Sequence, residues 1–131
     1  MPLQNLDQIR AKSALLFASR VARGEIRAAG KNGGDAMKKI PPMIMTNGLL
    51  ASLAYAVEDK AAGYRVIFDA IAEHLACAHV SVIPREKGNA ADLTGHLSQS
   101  DSRTLKRATT EALAWLGFAR RFVTSADEDS E

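Results

Sequence analysis

Apolar side chains recur along this chain at helical rather than strand spacing. Leu3, Leu6, Ile9, Leu16, Phe17 and Val21 fall in one arc at about 100° per residue, and Asn5, Gln8, Lys12, Ser19 and Arg23 fall opposite it. The pattern predicts a first helix from about Leu3 to Arg23, weakened where it meets Gly24. A second helix is expected to begin at Pro41-Pro42, since proline suits a first turn whose N–H groups lack intrahelical partners. Met43, Ile44, Met45, Leu49, Leu50, Leu53, Ala54 and Val57 follow it. Asn47-Gly48 is a hairpin signal in isolation. Its flanks do not alternate, so the helix is expected to run through the pair, with Gly48 admitting the close approach of a neighbour. Tyr64, Ile67, Ile71, Leu75 and Ala78 are spaced 3, 4, 4 and 3, with Phe68 on the same face, which predicts a third helix over Ala61–His79. Val80–Ile83 has β character, but Pro84 stops it and one short run cannot build a sheet. A loop over Pro84–Gly88 leads to a short helix, Ala90–Leu97. Asp101 or Ser102 can cap a last helix running to about Val123.

These elements predict an all-α fold: one compact helical bundle over 1–124, with about four longer helices, a short one and no significant sheet. Phe17, Leu53, Phe68, Leu75, Trp115 and Leu116 are its expected core. Gly30-Lys31-Asn32-Gly33-Gly34 makes the stretch around residues 28–36 a flexible loop. It is not a phosphate-binding P-loop, because Lys31 precedes Asn32 rather than Ser or Thr and no apolar strand leads into it. Residues 125–131 are acidic and expected to be a disordered tail.

At 131 residues the chain is long enough to bury a core without disulfides or metal. Its single cysteine, Cys77, allows no internal disulfide, which favours the cytoplasm. The longest apolar stretches, near Leu49–Val57 and Ala70–Ile83, are short or interrupted by Glu73, His74 and His79, so no membrane span is read. The first residues lack the basic-then-apolar pattern of a signal peptide.

The formal charge of +2 hides an asymmetry. Asp127, Glu128, Asp129 and Glu131 are four of the 15 acids; without them, 17 basic side chains face 11 acidic ones, a balance of +6. Residues 1–39 carry eight basic and three acidic side chains, residues 40–100 four and six, and residues 101–125 five and two. Positive charge thus sits at the two ends of the domain, where Lys12 and Arg23, then Lys38 and Lys39, are candidates for contact with phosphates or with acidic protein faces. A solvated surface carries the same signature.

Little here points to catalysis. His74 and His79, about 140° apart on a helix, cannot chelate one metal, and His96 is remote. Cys77 has no basic neighbour in sequence to favour a thiolate, so packing as a small hydrophobe suits it better. Nucleophile-elbow, zinc-protease and nucleotide-binding motifs are missing, and Glu58-Asp59 ends a helix in solvent. The expectation is a protein without catalytic residues, metal, cofactor or small-molecule substrate.

The last helix carries the clearest positive signal. Arg103, Lys106, Arg107, Arg120 and Arg121 share an arc of about 140° with no acid among them. Leu105, Ala108, Ala112, Trp115, Leu116, Ala119 and Phe122 occupy an apolar arc of about 120° on the other side. Thr109 and Thr110 flank the cations and can bond phosphate oxygens. Trp115 belongs to the apolar arc, so it is expected in the core rather than stacked on a base. Nucleic-acid contact through such a strip runs to the backbone and weakens with salt.

Gln4-Asn5-Leu6-Asp7-Gln8-Ile9-Arg10-Ala11-Lys12-Ser13-Ala14 resembles the opening of the small helical subunit of type III-B CRISPR effector complexes, the Cmr small-subunit family. After a variable loop, Lys39-Ile40-Pro41-Pro42-Met43-Ile44-Met45-Thr46-Asn47-Gly48-Leu49-Leu50 resembles that family's next helix, and Leu113-Ala114-Trp115-Leu116 extends the likeness through the last one. Asn-Gly-Leu-Leu within a helix is its most telling part, since local rules predict a turn there. The resemblance implies a non-catalytic subunit of an RNA-guided antiviral ribonucleoprotein. It implies stacking with neighbouring copies in a filament beside the backbone and large subunits, and CRISPR RNA and target RNA held through basic surfaces. Two other readings remain open: a helical protein–protein adaptor without RNA contact, and the small subunit of another CRISPR effector subtype.

Overall fold

Asn5 opens the first helix with a reciprocal cap: its side chain accepts from Gln8 N at 2.9 Å while Gln8 Oε1 accepts from Asn5 N at 2.8 Å. The computed structural model describes residues 5–25, 36–57 and 62–129, with side chains over 5–25, 36–57 and 63–123. The helices are α1 (Leu6–Ala22), α2 (Ala36–Asn47), α3 (Leu49–Ala56), α4 (Ala62–Ala76), α5 (Ala90–Ser98) and α6 (Ser102–Asp129), with a 3-10 turn at Arg85–Lys87. Among the described residues there is no strand, so the all-α expectation holds. The glycine-rich loop expected over 28–36 lies outside the described residues up to Asp35.

α1 packs most extensively on α6, running in the same direction, for Arg10 meets Glu111 and Phe17 meets Trp115. The buried face of α1 differs from the one expected. It is centred on Ala14, Phe17 and Ala18, whereas Leu6, Leu15 and Leu16 are exposed, Leu16 at 63%. Small side chains are buried on both helices, Ala14 and Ala18 on α1 and Ala108, Ala112 and Ala119 on α6, a composition that permits close packing.

The second helix departs further. It starts at Ala36 and carries Pro41 and Pro42 inside it. Each proline removes one backbone donor, leaving the carbonyls of Met37 and Lys38 without their usual i+4 partner. Burial of Ala36, Met37, Ile40 and Ile44 along one face holds the turn before the prolines. Lys38 and Lys39 therefore sit in the first turn of a helix rather than ahead of one.

Nor does the helix run through Asn47-Gly48. Gly48 has φ 88° and ψ 160° and breaks it into α2 and α3. No hairpin forms; Gly48 N bonds Ile44 O at 2.8 Å, and Ser52 Oγ bonds Gly48 O at 2.8 Å. A Cβ at Gly48 would meet nothing within 4 Å, so glycine serves a backbone conformation here and not the close approach of a neighbour.

α4 ends at Ala76, three residues before the expected His79. Val82 N and Ile83 N both turn back to Leu75 O, which lets Val80 and Ile83 bury against the bundle. Asp101 caps α6 through Thr104 N at 2.8 Å. α6 then continues to Asp129, so residues 125–129 extend the helix where a disordered tail was expected; no glycine or proline lies there to stop it. The six core residues expected from sequence, Phe17, Leu53, Phe68, Leu75, Trp115 and Leu116, are all buried.

Candidate nucleic-acid interface

α6 presents two faces. Ala108, Ala112, Trp115, Leu116, Ala119 and Val123 are buried, while Arg103, Lys106, Arg107, Arg120 and Arg121 are all exposed. At about 1.5 Å per residue the strip from Arg103 to Arg121 is roughly 27 Å long. None of the five joins an ion pair among the described residues. Near its N-terminal end, Lys106 lines a shallow depression with Thr109 and Thr110, across from Asn47–Ala51. Thr109 is less available than expected, because its hydroxyl donates to Leu105 O at 2.8 Å; Thr110 is exposed.

The other basic candidates stand elsewhere. Lys38 and Lys39 are exposed on α2 and line neither this depression nor the groove beside α1. Lys12 on α1 and Arg23 at its C-cap are exposed and share that groove with Arg20, a cation the sequence pattern did not single out. Arg23 pairs with Glu25 at 3.0 Å and Arg20 lies 3.9 Å from Glu73. The nine basic residues thus form no single surface: five belong to α6, two to α2 and two to the α1 groove.

Beneath that groove lies a polar chain that sequence reasoning missed. Trp115 Nε1 donates to Ser13 Oγ at 3.0 Å, and Ser13 Oγ lies 3.0 Å from His74 Nδ1. His74 Nε2 lies 2.9 Å from Glu111 Oε2, which also accepts from Arg10 Nε at 2.8 Å. Arg10 Nη2 donates to Glu111 Oε1 at 2.7 Å, and Arg10 Nη1 reaches Asp7 at 2.9 Å. His74 is 2% exposed and Glu111 5%.

One protonation pattern satisfies every partner: neutral His74 carrying its proton on Nε2 toward an ionised Glu111, with the Ser13 hydroxyl donating to Nδ1. The electrostatics agree. Burial pushes the His74 pKa below its ordinary value, against the pull of Glu111. Burial alone would raise Glu111, yet the hydrogen bonds from Arg10 and His74 outweigh it and hold the carboxyl low. The Glu111 bond raises the Arg10 pKa further above its already high value. This chain is a structural joint between α1, α4 and α6, with its polar groups satisfied internally.

Among the described residues no three His, Cys, Asp or Glu side chains come close enough to hold a metal ion, and no helix is long and apolar enough to cross a membrane. No curated protein and no solved structure matches the chain. The family model described as CRISPR-associated protein (Cas_Cmr5) matches residues 6–126, from the capped start of α1 almost to the end of α6. On a match of that extent, following the order of motifs noted in the sequence, this chain belongs to the Cas_Cmr5 family of CRISPR-associated proteins.

Proposed function

We propose that this chain is a non-catalytic small subunit of a type III-B RNA-guided antiviral ribonucleoprotein, gripping RNA through α6 and stacking with copies of itself beside the other Cmr subunits. The observation that carries the RNA contact is the strip of Arg103, Lys106, Arg107, Arg120 and Arg121 on one exposed helix face. A strip roughly 27 Å long can follow several phosphates of an RNA strand, and each cation releases condensed counterions on contact. Lys38 and Lys39 on α2 add positive charge outside the strip. Lys12 and Arg23, in a groove of their own, serve contacts within the assembly. The exposed Leu15, Leu16 and Met45 favour protein neighbours on other faces of the subunit.

Replacing Arg103, Lys106 and Arg107 together by glutamate tests the RNA contact. The assembled complex carrying the variant should lose target-RNA affinity on the order of a hundredfold at low salt, for many guide sequences alike. The slope of log affinity against log salt should flatten by about two to three. Folding should survive, since exposed charge changes cost roughly 0.5 kcal/mol or less each. Equal affinity and equal slope with normal incorporation of the variant would assign the strip to solvent or to protein partners.

A further inference from the structure

α1 and α4 enclose a groove of about 420 Å³ above the buried polar joint, floored by Phe17, Ala70 and Trp115. Its α1 edge is one ridge: Lys12, Leu16, Arg20 and Arg23 follow one another at spacings of 4, 4 and 3. All four are exposed. Arg20 and Arg23 have acidic neighbours in Glu73 and Glu25, but both pairs are solvent-exposed and therefore weak, leaving the cations open to an incoming anion. The edge thus combines three cations with the exposed Leu16, above a lining of mixed character in which Glu73 is the one acid. That combination of open cations and an exposed leucine at helical spacing fits the acidic end of a helix laid along it.

The chain carries one such segment. Asp127, Glu128, Asp129 and Glu131 make the densest run of acids in the sequence. α6 remains helical to Asp129, about 9 Å of helix axis beyond Val123. A helix continuing in line cannot turn back into the groove of its own chain without breaking. We propose that the acidic end of α6 in one copy seats in the α1–α4 groove of a second copy, its carboxylates against Lys12, Arg20 and Arg23. The donating and receiving surfaces are different parts of the molecule, so the contact propagates from copy to copy instead of closing a pair. The inference rests on the self-stacking part of the reading above and names its contact; it does not depend on the RNA strip.

Sedimentation velocity on the full chain tests it. The wild type should self-associate in a concentration-dependent way at low salt and dissociate at high salt. Deletion of residues 125–131 should weaken self-association about tenfold, as should the triple change Lys12→Glu, Arg20→Glu, Arg23→Glu, the expected sum of three exposed pairs. A tail variant with Asp127→Lys, Glu128→Lys and Asp129→Lys, mixed with the groove triple, should associate more tightly than either does alone. The α6 variant Arg103→Glu, Lys106→Glu, Arg107→Glu should keep wild-type self-association even where RNA binding is lost, which separates failure of this contact from failure of the RNA grip. The contact is overturned if the wild type stays monomeric, if tail deletion leaves association unchanged (as when residues 26–35 of the same chain, or another face, fill the role), or if the charge swap fails to rescue while each variant keeps its helical circular dichroism.

Discussion

Glu111 takes up hydrogen bonds from two other helices at once, Arg10 on α1 and His74 on α4. Glu111→Ala would leave the Arg10 guanidinium, itself mostly buried, without its carboxylate and the His74 N–H without an acceptor. Breaking a buried pair in this way costs about 3 kcal/mol, so urea unfolding should show a loss of that order; a loss under about 1 kcal/mol would mean that water replaces the carboxylate easily. The same joint makes stability depend on pH. His74 has its folded pKa lowered from 6.5, so the unfolded chain takes up the proton first. Its contribution is full above 6.5 and is lost as pH falls below it. Glu111 is lowered from 4.5, so its contribution is present above 4.5 and is lost as pH falls through its folded value. Acid therefore weakens the fold in two stages, and His74→Gln should flatten the upper one, measured as unfolding midpoints between about pH 7 and pH 5. A wild type equally stable across that window would overturn the neutral-histidine arrangement. None of this joint was legible in the sequence. His74 is visible only as an interruption in an apolar run, and Glu111 only as an acid bordering the apolar arc. The bonds that tie the three helices together in the joint span sequence separations of 37 to 102 residues, which no local pattern encodes.

At the scale of the element, α1, α4, α5 and α6 follow from apolar periodicity and capping residues, with ends shifted by a few residues. α2 and α3 do not follow as directly, because the periodic signal across Asn47-Gly48 is genuine while the backbone between them is broken. Ile44, Leu49 and Leu53 are all buried, so the apolar positions continue in phase with the core even though the helix does not. The residue that makes the break possible is Gly48, at a φ of 88° and ψ of 160° that is almost closed to other residues. Gly48→Ala should cost about 1–3 kcal/mol although its methyl group would touch nothing. Comparison with Gly95→Ala supplies the control: that glycine is helical, a Cβ there also meets nothing within 4 Å, and alanine there should stabilise by up to about 1 kcal/mol. Equal effects at the two positions would show that α2 and α3 can join into one continuous helix. The misplaced face of α1 has a similar origin. Leucine positions dominate a hydrophobicity pattern, whereas the face of α1 that is buried carries Ala14 and Ala18 beside Phe17.

Across the whole molecule, the segregation of charge was legible by counting and its arrangement was not. The basic arc of α6 survives as an exposed strip because one helix carries all of it, so periodicity alone predicts the geometry. Lys12 and Arg23 gained a shared groove, and a third cation in Arg20, only once α4 was placed beside α1. α6 itself joins the two signs of charge: Arg120 and Arg121 are followed within one continuous helix by Asp127, Glu128 and Asp129. Arg121 and Asp127 are about 9 Å apart along the axis. That spacing is close to the screening length of about 8 Å at physiological salt and well inside the roughly 30 Å of dilute buffer. The acids should therefore weaken the attraction of the strip for an anionic strand at low salt and cease to matter at high salt. Deleting residues 125–131 removes four acids and raises the formal charge from +2 to +6. For dilute protein, below the concentrations at which copies associate, the deletion should tighten binding of a short RNA by roughly threefold to tenfold at low salt. The gain should vanish near about 0.5 M salt, where screening is complete within a few ångströms. Fluorescence anisotropy of a labelled oligonucleotide over a salt series reads both effects. An affinity unchanged by the deletion at low salt would show that the field of the tail does not reach bound RNA, and would leave the acids to protein contacts alone.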